Sequence, residues 1–451
     1  MVKFRFPAFA RDRGPGFWLK PSNLWASRRF LRADDSITRR DAFGPTDPAA
    51  PPGRSASFAD LLPPGRVPSA GFRFVILGDT GEGDRSQYSL LPLLRHFAPD
   101  FMVIVGDLAV PAGRIDARSH RDRDDYLAGF FEPYRYFQIP IWSVPGNHEY
   151  YANGRGREYF ETFCTRKYAG RYEEHGLRFV PQPGTYWELK SPGVPYMLIG
   201  VDTGMAGRLD GGRRLWRRTP PDDRQHAWLD ERLTLADREG RRAVVLFHIP
   251  ALCKQKNDRV VRLKTLHRIL AAHRSVSHVI CGHDHNYQEY APSTFASYLE
   301  REAGAPPMTH EAPVYIVNGG GGSALHGTDY RSRDYRAARL YPPAAEWRKH
   351  ASFGNRVISR LGLGRTPVGR ISALLQKDAL ADADEFRYLS FLLVDWIPGA
   401  PDPGRGFSIR PVFMNDLREL FASVQDGAID VTDPRPSLDP EAVRRAIREP
   451  L

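Results

Sequence analysis

The sequence has few cysteines and no long apolar run. Three cysteines occur in 451 residues, Cys164, Cys253 and Cys281, and no two of them form a CxxC pair. So sparse and odd-numbered a set argues against a disulfide framework, and we expect buried thiols where a cysteine adjoins an apolar run. No apolar stretch is as long as a signal peptide core or a bilayer span. These absences predict a soluble, cytoplasmic protein.

Dense blocks of lysine and arginine with interleaved aromatics are also missing, although the formal net charge is +11. The excess is mostly arginine and suits anionic partners such as phosphorylated small molecules. A compositional bias toward Arg, Gly, Pro and Ala explains the charge equally well. The lack of a basic aromatic patch argues against nucleic acid as a partner. Residues 23–32, NLWASRRFLR, remain open as a membrane-surface contact or a solvated basic arm.

Composition divides the chain into segments. Residues 1–70 are rich in Pro, Arg and Gly and predict an N-terminal extension without its own core. A regular rhythm of apolar runs then predicts a folded domain over residues 71–416. A basic, irregular stretch at about 323–385 interrupts this rhythm and predicts an insertion. Residues 417–451 predict a C-terminal tail with a short helix.

From Gly71 onward, short apolar runs end again and again in polar loops. The runs are rich in Val and Ile, lack strict alternation and are bounded by Gly, which predicts strands buried on both faces. Segments between them, such as 85–98 and 224–240, predict helices, and the alternation predicts an α/β sheet. The runs lie at 72–77, 101–105, 139–144, 195–201, 243–247, 278–281 and 313–318, and two later runs at 386–396 and 407–414 predict a hairpin.

Metal-ligating residue types stand just past the ends of these runs. They are Asp79, Asp107, Asn147, His148, His248, His283 and His285. In open α/β sheets ligands bind at the carboxyl ends of the strands. Carboxylate, imidazole and amide oxygen suit Zn, Mn and Fe. A carboxylate can also bridge two cations, which then stabilise both the attacking and the leaving oxygen of a phosphoryl transfer.

The order of these short motifs is more informative than any one of them. A single GD after a strand usually caps a turn, and a single buried His is usually a core residue. The ordered set GD, GD, GNHE, H and GHDH is specific. The glycine-rich loop 78–84, GDTGEGD, lacks the Gly-Lys-Ser/Thr ending of a P-loop and the distal Glu of an EF-hand. Asp79 is therefore its informative residue.

The ordered set resembles the calcineurin-like metallophosphoesterase superfamily, and within it the purple acid phosphatase-like branch. The branch motifs GDxG, VxxH and GHxHxY match residues 78–81, 245–248 and 282–287. The resemblance covers roughly residues 71–323. It implies a four-layer αββα sandwich of two mixed sheets, in which the strands near residues 386–414 complete the second sheet.

The resemblance also implies a role for each site residue, with two metal ions whose identity stays open among Fe, Mn and Zn. Asp79 and His285 would bind metal 1, Asn147, His248 and His283 would bind metal 2, and Asp107 would bridge both. His148 would face the substrate, bind phosphate and protonate the leaving oxygen, and Glu149 would orient it. Hydroxide formed on the cations would attack a phosphomonoester or a phosphodiester.

Metal site 1 departs from the family pattern. Purple acid phosphatases supply a Tyr ligand in GDxxY, but Val110 stands at that position here. Gly81 stands where other members of the superfamily have a His ligand. Glu82 and Asp84 are close in sequence and could substitute. The alternative function is therefore a catalytically weak metal- or phosphate-binding scaffold on the same fold.

Overall fold

The structure is a computed structural model. It describes residues 46–50, 52–81, 85–108, 126–135, 137–151, 156–204, 209–214, 217–253, 263–322, 337–341, 389–399 and 406–414. The basic arm at 23–32, the tail at 417–451, Val110, Glu82 and Asp84 lie outside these residues. So does most of the predicted insertion at 323–385.

Two mixed sheets and a small hairpin contain all the strands of the described residues. One sheet has eight strands in the order β1-β5-β6-β9-β10-β12-β11-β13, and the other has five in the order β15-β14-β2-β3-β4. The strands are β1 (Ser55–Ala56), β2 (Phe72–Leu77), β3 (Phe101–Val105), β4 (Ile141–Val144), β5 (Trp187–Leu189), β6 (Tyr196–Gly200), β7 (Gly212–Arg214), β8 (Arg217–Thr219), β9 (Arg242–Phe247), β10 (Val276–Cys281), β11 (Tyr287–Tyr290), β12 (Val314–Asn318), β13 (Arg339–Tyr341), β14 (Ser390–Trp396) and β15 (Phe407–Phe413).

Parallel pairing predominates at the centre of each sheet. β2, β3 and β4 are parallel, as are β6, β9, β10 and β12. The antiparallel hairpin β14–β15 joins the five-stranded sheet through β2, which confirms the predicted hairpin and its place in the second sheet. Because the parallel strands end at the same edge, the polar loops that follow them converge there.

The described residues include nine α-helices, most of which pack on the outer faces of the sheets. They are α1 (Phe58–Leu61), α2 (Arg85–Phe97), α3 (Glu132–Tyr134), α4 (Asn147–Tyr151), α5 (Arg157–Phe163), α6 (Ala169–Glu174), α7 (Asp223–Glu239), α8 (Lys264–Ala272) and α9 (Pro292–Tyr298). The ends of α7 follow its sequence: the Asp222 side chain accepts a hydrogen bond from the Gln225 N–H, and Gly240 closes the helix at φ 66°. No described helix is long and apolar enough to cross a membrane.

Three apolar layers show that the fold is the predicted four-layer sandwich. Alternate residues of β2 face opposite layers: Val75 and Leu77 pack with the helices over the five-stranded sheet, and Phe74 and Ile76 pack between the two sheets. A third layer lies between the eight-stranded sheet and α7, α8 and α9. Both faces of the central strands are thus buried, which confirms the prediction made from their lack of alternation.

Part of the segment predicted as an N-terminal extension packs in the core. β1 pairs in parallel with β5, and Phe58, Leu61 and Leu62 are buried between the sheets. Ser57 caps the short helix α1 in a capping box with Asp60. Pro and Gly residues flank this short segment, so that the sequence around it is typical of a linker. Cys164 and Cys281 are buried free thiols, and Cys253 is a half-buried one.

Candidate metal centre

The site is built on loops that follow β2, β3, β4, β9 and β10, so that both sheets contribute to it. Three of its residues have a left-handed backbone: Asp79 at φ 58°, Asp107 at φ 56° and His283 at φ 71°. Asp and His tolerate this region better than most residues. Such strained conformations cluster at functional sites because the surrounding structure must hold them.

Glycines beside these residues make room for the polar side chains. Gly106 has φ 88°, and a Cβ at this position would lie 2.5 Å from Nδ1 of His248. A Cβ at Gly146 would collide with the carboxylate of Asp107. The glycines of these GD and GN pairs are therefore needed because the backbone approaches a polar side chain closely, as well as for the turn.

One group of donors gathers around the amide oxygen of Asn147. That oxygen lies 2.7 Å from Nδ1 of His283 and 3.0 Å from Nε2 of His248. Asp107 Oδ2 lies 3.2 Å from the same Nε2. Asp107, His248 and His283 each offer a ligand atom within 4.8 Å of the others. With Asn147 these residues offer four donors to a single cation; we call them site 2.

A second group shares Asp107 with the first. Asp79, Asp107 and His285 also offer ligand atoms within 4.8 Å of one another; we call them site 1. Asp79 is fully buried, and its Oδ1 accepts no hydrogen bond. This oxygen lies 3.2 Å from Nε2 of His285. A buried carboxylate oxygen without a donor is costly, and a cation between it and the imidazole would remove that cost.

The protonation of His248 suits a metal ligand. Its Nδ1 lies 2.8 Å from the carbonyl oxygen of Val105, which can only accept, so Nδ1 carries the proton of the neutral ring. In that neutral ring Nε2 is unprotonated, and its lone pair faces Asp107 and Asn147. A backbone carbonyl that fixes the tautomer of a ligating histidine is a usual part of metal sites.

The pKa shifts show how the buried carboxylates and imidazoles of the site act on one another. Burial disfavours the charged ring of His248, but Asp107 and Asp79 outweigh this and raise its pKa to about 10. Burial by itself would raise the pKa of Asp107, but His248 and His148 hold it well below its usual range. Burial and the neighbouring His248 lower the pKa of His283 to about 3, so that ring is neutral. A cation entering site 2 would displace the proton that the carboxylates otherwise attract to His248.

His148 is more exposed than two of the other histidines of the site. Its side chain is 28% exposed, whereas His248 is fully buried and His285 is 9% exposed. Its Nε2 lies 3.9 Å from Oδ2 of Asp107, and its backbone N–H donates to Oδ1 of Asp107 over 2.9 Å. The ring therefore stands beside the shared carboxylate and is partly exposed to solvent.

Comparison with known proteins agrees with this geometry. Residues 72–287 match the family model of calcineurin-like phosphoesterase. This segment belongs to the calcineurin-like phosphoesterase family. The family typically binds two metal ions, and the two donor groups that share Asp107 correspond to that number.

Solved structures of phosphatases are among those similar to this chain. A dimetal phosphatase from Danio rerio is 18% identical, with a TM-score of 0.37, over 55% of this chain and 86% of that one. The purple acid phosphatase PPD1 from yellow lupin seeds is 14% identical, with a TM-score of 0.43, over 77% and 52%. This chain thus spans about half of the lupin protein. GAP50, the anchor in the inner membrane complex of Plasmodium, is 12% identical, with a TM-score of 0.43, over 76% and 85%.

Glu149 of this phosphoesterase segment binds backbone amides. One carboxylate oxygen accepts from the N–H of Asp107 over 2.9 Å and of Gly146 over 2.6 Å, and the other accepts from the N–H of Leu108 over 2.8 Å. Burial and the nearby Asp107 raise the pKa of Glu149 to about 7. The residue therefore ties the loop after β3 to the loop after β4. The role expected from the sequence, the orientation of His148, stays a prediction.

All six predicted ligands of the phosphoesterase centre converge, and further polar residues support them. Asp202 follows β6 and accepts a hydrogen bond from the Tyr150 hydroxyl over 2.5 Å. Asp284, between the two histidines of GHDH, is fully buried, and burial raises its pKa to about 7. The sequence signals Asp202 through the pair Asp202-Thr203 after an apolar run, but nothing in it signals the partner Tyr150.

Proposed function

We propose that this phosphoesterase uses two metal ions to hydrolyse a phosphomonoester, or a phosphodiester, of a small molecule. The observation that carries the proposal is the sharing of Asp107 by two groups of ligand atoms. Shared carboxylates hold two cations close together, and such pairs suit in-line displacement at phosphorus. Asn147, His248 and His283 would hold one cation, and Asp79 and His285 the other. The donor set suits Fe, Mn or Zn.

When bound, the two cations would act as Lewis acids. They would also lower the pKa of water, so that a hydroxide nucleophile would be available near neutral pH. The chain itself contributes the fixed geometry of the carboxylates and imidazoles. Glu149 holds the loops that carry Asp107 and Asn147 in register through three backbone hydrogen bonds. The buried position of Asp79 and Asp107 keeps bulk water away from the charges, which strengthens their electrostatic effect.

His148 is proposed as the general acid. Its Nε2 stands 3.9 Å from Oδ2 of the shared carboxylate, and its partly exposed ring would be accessible to an ester oxygen bound there. Histidine is the side chain that most often carries a proton to such an oxygen near neutral pH. A positioned acid of this kind contributes about 10²–10⁴-fold to the rate of such reactions.

The alternative is a metal- or phosphate-binding scaffold with little turnover. It is favoured by the difference between the sites: among the described residues, site 1 offers three protein donors and site 2 offers four. Gly81, in the loop of Asp79, supplies no side chain to site 1.

Hydrolysis assays with an aryl phosphate monoester and with the corresponding diester distinguish the phosphoesterase from the scaffold. We expect the full-length protein loaded with Mn²⁺ or Fe to hydrolyse at least one of them. His148→Ala should lose this activity while retaining its metal. Full metal occupancy without hydrolysis of either ester would favour the scaffold.

A further inference from the structure

The geometry of site 2 depends on how the two sheets meet. Asn147 begins α4, directly after β4 of the five-stranded sheet. His248 and His283 follow β9 and β10 of the eight-stranded sheet. The amide oxygen of Asn147 lies within 3.0 Å of a nitrogen of both rings. A shift of α4 relative to the eight-stranded sheet would therefore open site 2.

A hydrogen bond that uses no proposed metal ligand joins α4 to the other sheet. The Tyr150 hydroxyl donates to Oδ2 of Asp202 over 2.5 Å. Tyr150 is 2% exposed and Asp202 is fully buried. Asp202 follows β6, the neighbour of β9 in the eight-stranded sheet. Tyr150 lies three residues after Asn147, about one helical turn away and on the same side of α4.

Asp202 is itself held rigidly. Its Oδ1 accepts from the Gly204 N–H over 2.9 Å. The side chain of Gln225 in α7 accepts from the Asp202 N–H over 2.9 Å and donates to the Asp202 carbonyl over 3.0 Å. The acceptor of the Tyr150 hydroxyl is thus fixed to β6 and α7 at once. A buried, charge-assisted hydrogen bond to a fixed acceptor constrains the position of its donor closely.

The other bonds at this edge fix different loops. The His283 N–H donates to Asp79 over 2.6 Å, and His248 binds the Val105 carbonyl over 2.8 Å, so these bonds cross between the sheets at β2 and β3. Glu149 joins α4 to the β3 loop within the five-stranded sheet. The Tyr150–Asp202 bond crosses between the sheets at α4 itself.

We propose that Tyr150 and Asp202 are positioning residues, and that their hydrogen bond holds Asn147 at the distance from His248 and His283 that site 2 requires. The proposal rests on the proposed function in assigning a metal to site 2. It predicts that loss of the bond lowers the metal affinity of site 2 selectively. It also predicts a smaller effect on site 1, whose ligands Asp79 and His285 do not belong to α4.

Titration of metal-free full-length protein with Mn²⁺, followed by calorimetry, tests this proposal. Tyr150→Phe keeps the ring and removes the hydroxyl. We expect one of the two Mn²⁺ sites to weaken about 10–100-fold, as on loss of an outer-shell partner. Tyr172→Phe is the matched control, because the hydroxyl of this buried tyrosine donates to the Thr162 carbonyl over 3.3 Å and belongs to no site loop. The control should keep both affinities.

A second variant tests the same bond from the other side. Asp202→Asn keeps the size of the side chain but offers a neutral, weaker acceptor. It should weaken the same Mn²⁺ site by a smaller factor, and the double variant should be no weaker than Tyr150→Phe, because residues that act as a unit are not additive.

Three results would count against the account, in different ways. Unchanged Mn²⁺ affinity in a folded Tyr150→Phe protein, or equal weakening in Tyr172→Phe, would overturn the positioning role and leave the proposed function standing. A wild-type protein that binds none of Fe, Mn²⁺ and Zn²⁺ would overturn both.

Discussion

Two fully buried histidines, one at the edge of the eight-stranded sheet and one in a helix packed on it, have pKa values that shift in opposite directions. His248 lies at the carboxyl edge of the eight-stranded sheet, and its pKa is raised to about 10, because Asp107 and Asp79 outweigh the effect of burial. His267 lies in α8 on the outer face of that sheet, and burial lowers its pKa to about 4. Phe247, Phe295 and Tyr315 surround His267 with aromatic rings.

The contrast shows what distinguishes the edge from the core. Burial alone keeps an imidazole neutral, as at His267. At the edge, buried carboxylates create a field that attracts positive charge, and this charge can be a proton or a metal ion. We expect substitutions of Asp107, His148, His285 and His267 to have effects that decrease in this order.

Asp107→Ala should have the largest effect. It removes the carboxylate that both sites share, so both metal ions should be lost or weakened together. Hydrolysis of an aryl phosphate should fall at least about 10⁴-fold, because most of the transition-state stabilisation depends on the cations. Metal content and kcat/KM, measured on the same folded sample, check this. Retention of two tightly bound metals would show that Asp107 is not shared.

His148→Ala should have the next largest effect. The exposed ring is not among the ligand groups, so the metal content should stay at the wild-type level while kcat falls about 10²–10⁴-fold. A substrate with a better leaving group should lose less, since it needs less protonation. An equal loss for good and poor leaving groups would argue against His148 as the acid.

His285→Ala should separate the two sites. It removes a donor of site 1 and leaves Asn147, His248 and His283 in place. We expect the weaker of two Mn²⁺ affinities to fall about 10–100-fold or to vanish, with the tighter one retained. His283→Ala is the matched variant for site 2, and it should affect the tighter affinity. If His285→Ala weakened the tighter affinity instead, site 1 and not site 2 would be the site that binds Mn²⁺ more tightly.

His267 should make a smaller contribution, visible in stability below neutral pH. Its folded pKa of about 4 lies below the ordinary value of 6.5, so the unfolded chain binds more protons between these values. The stability that depends on its neutral ring is fully present above pH 6.5 and is lost as the pH falls toward 4. By pH 5 the loss is about 2 kcal/mol.

Urea unfolding of wild type and His267→Phe at pH 7.5 and pH 5.0 measures this contribution. The variant keeps an aromatic ring. The backbone N–H of residue 267 still donates a hydrogen bond to the Leu263 carbonyl. Its stability should fall less than that of wild type between the two pH values. Equal losses would show that His267 does not titrate as a buried neutral ring.

The strands and the positions of the candidate ligand residues could be predicted from the sequence for two physical reasons. Strands buried on both faces must be continuous apolar runs, so 72–77 and 101–105 coincide with β2 and β3. Glycine must stand where backbone and ligand approach, so the GD and GN pairs locate Asp79, Asp107 and Asn147. The short edge strands β1 and β13 carry too few residues for a pattern.

Interactions between distant segments could not be predicted in the same way. The three backbone amides bound by Glu149 lie on two loops, and the Tyr150–Asp202 bond spans 52 residues of sequence. No local spacing encodes such contacts. They become visible only in the folded structure, within the five-stranded sheet for Glu149 and across the two sheets for Tyr150 and Asp202.

Elemental analysis measures directly whether this edge of the sheets binds two cations. The full-length protein should be purified without added metal, and its Fe, Mn and Zn content should be measured per chain, before and after incubation with Mn²⁺. The account predicts two metal ions per chain after incubation, and a loss of both in Asp107→Ala. One ion or fewer per folded wild-type chain, under every metal supplied, would contradict it.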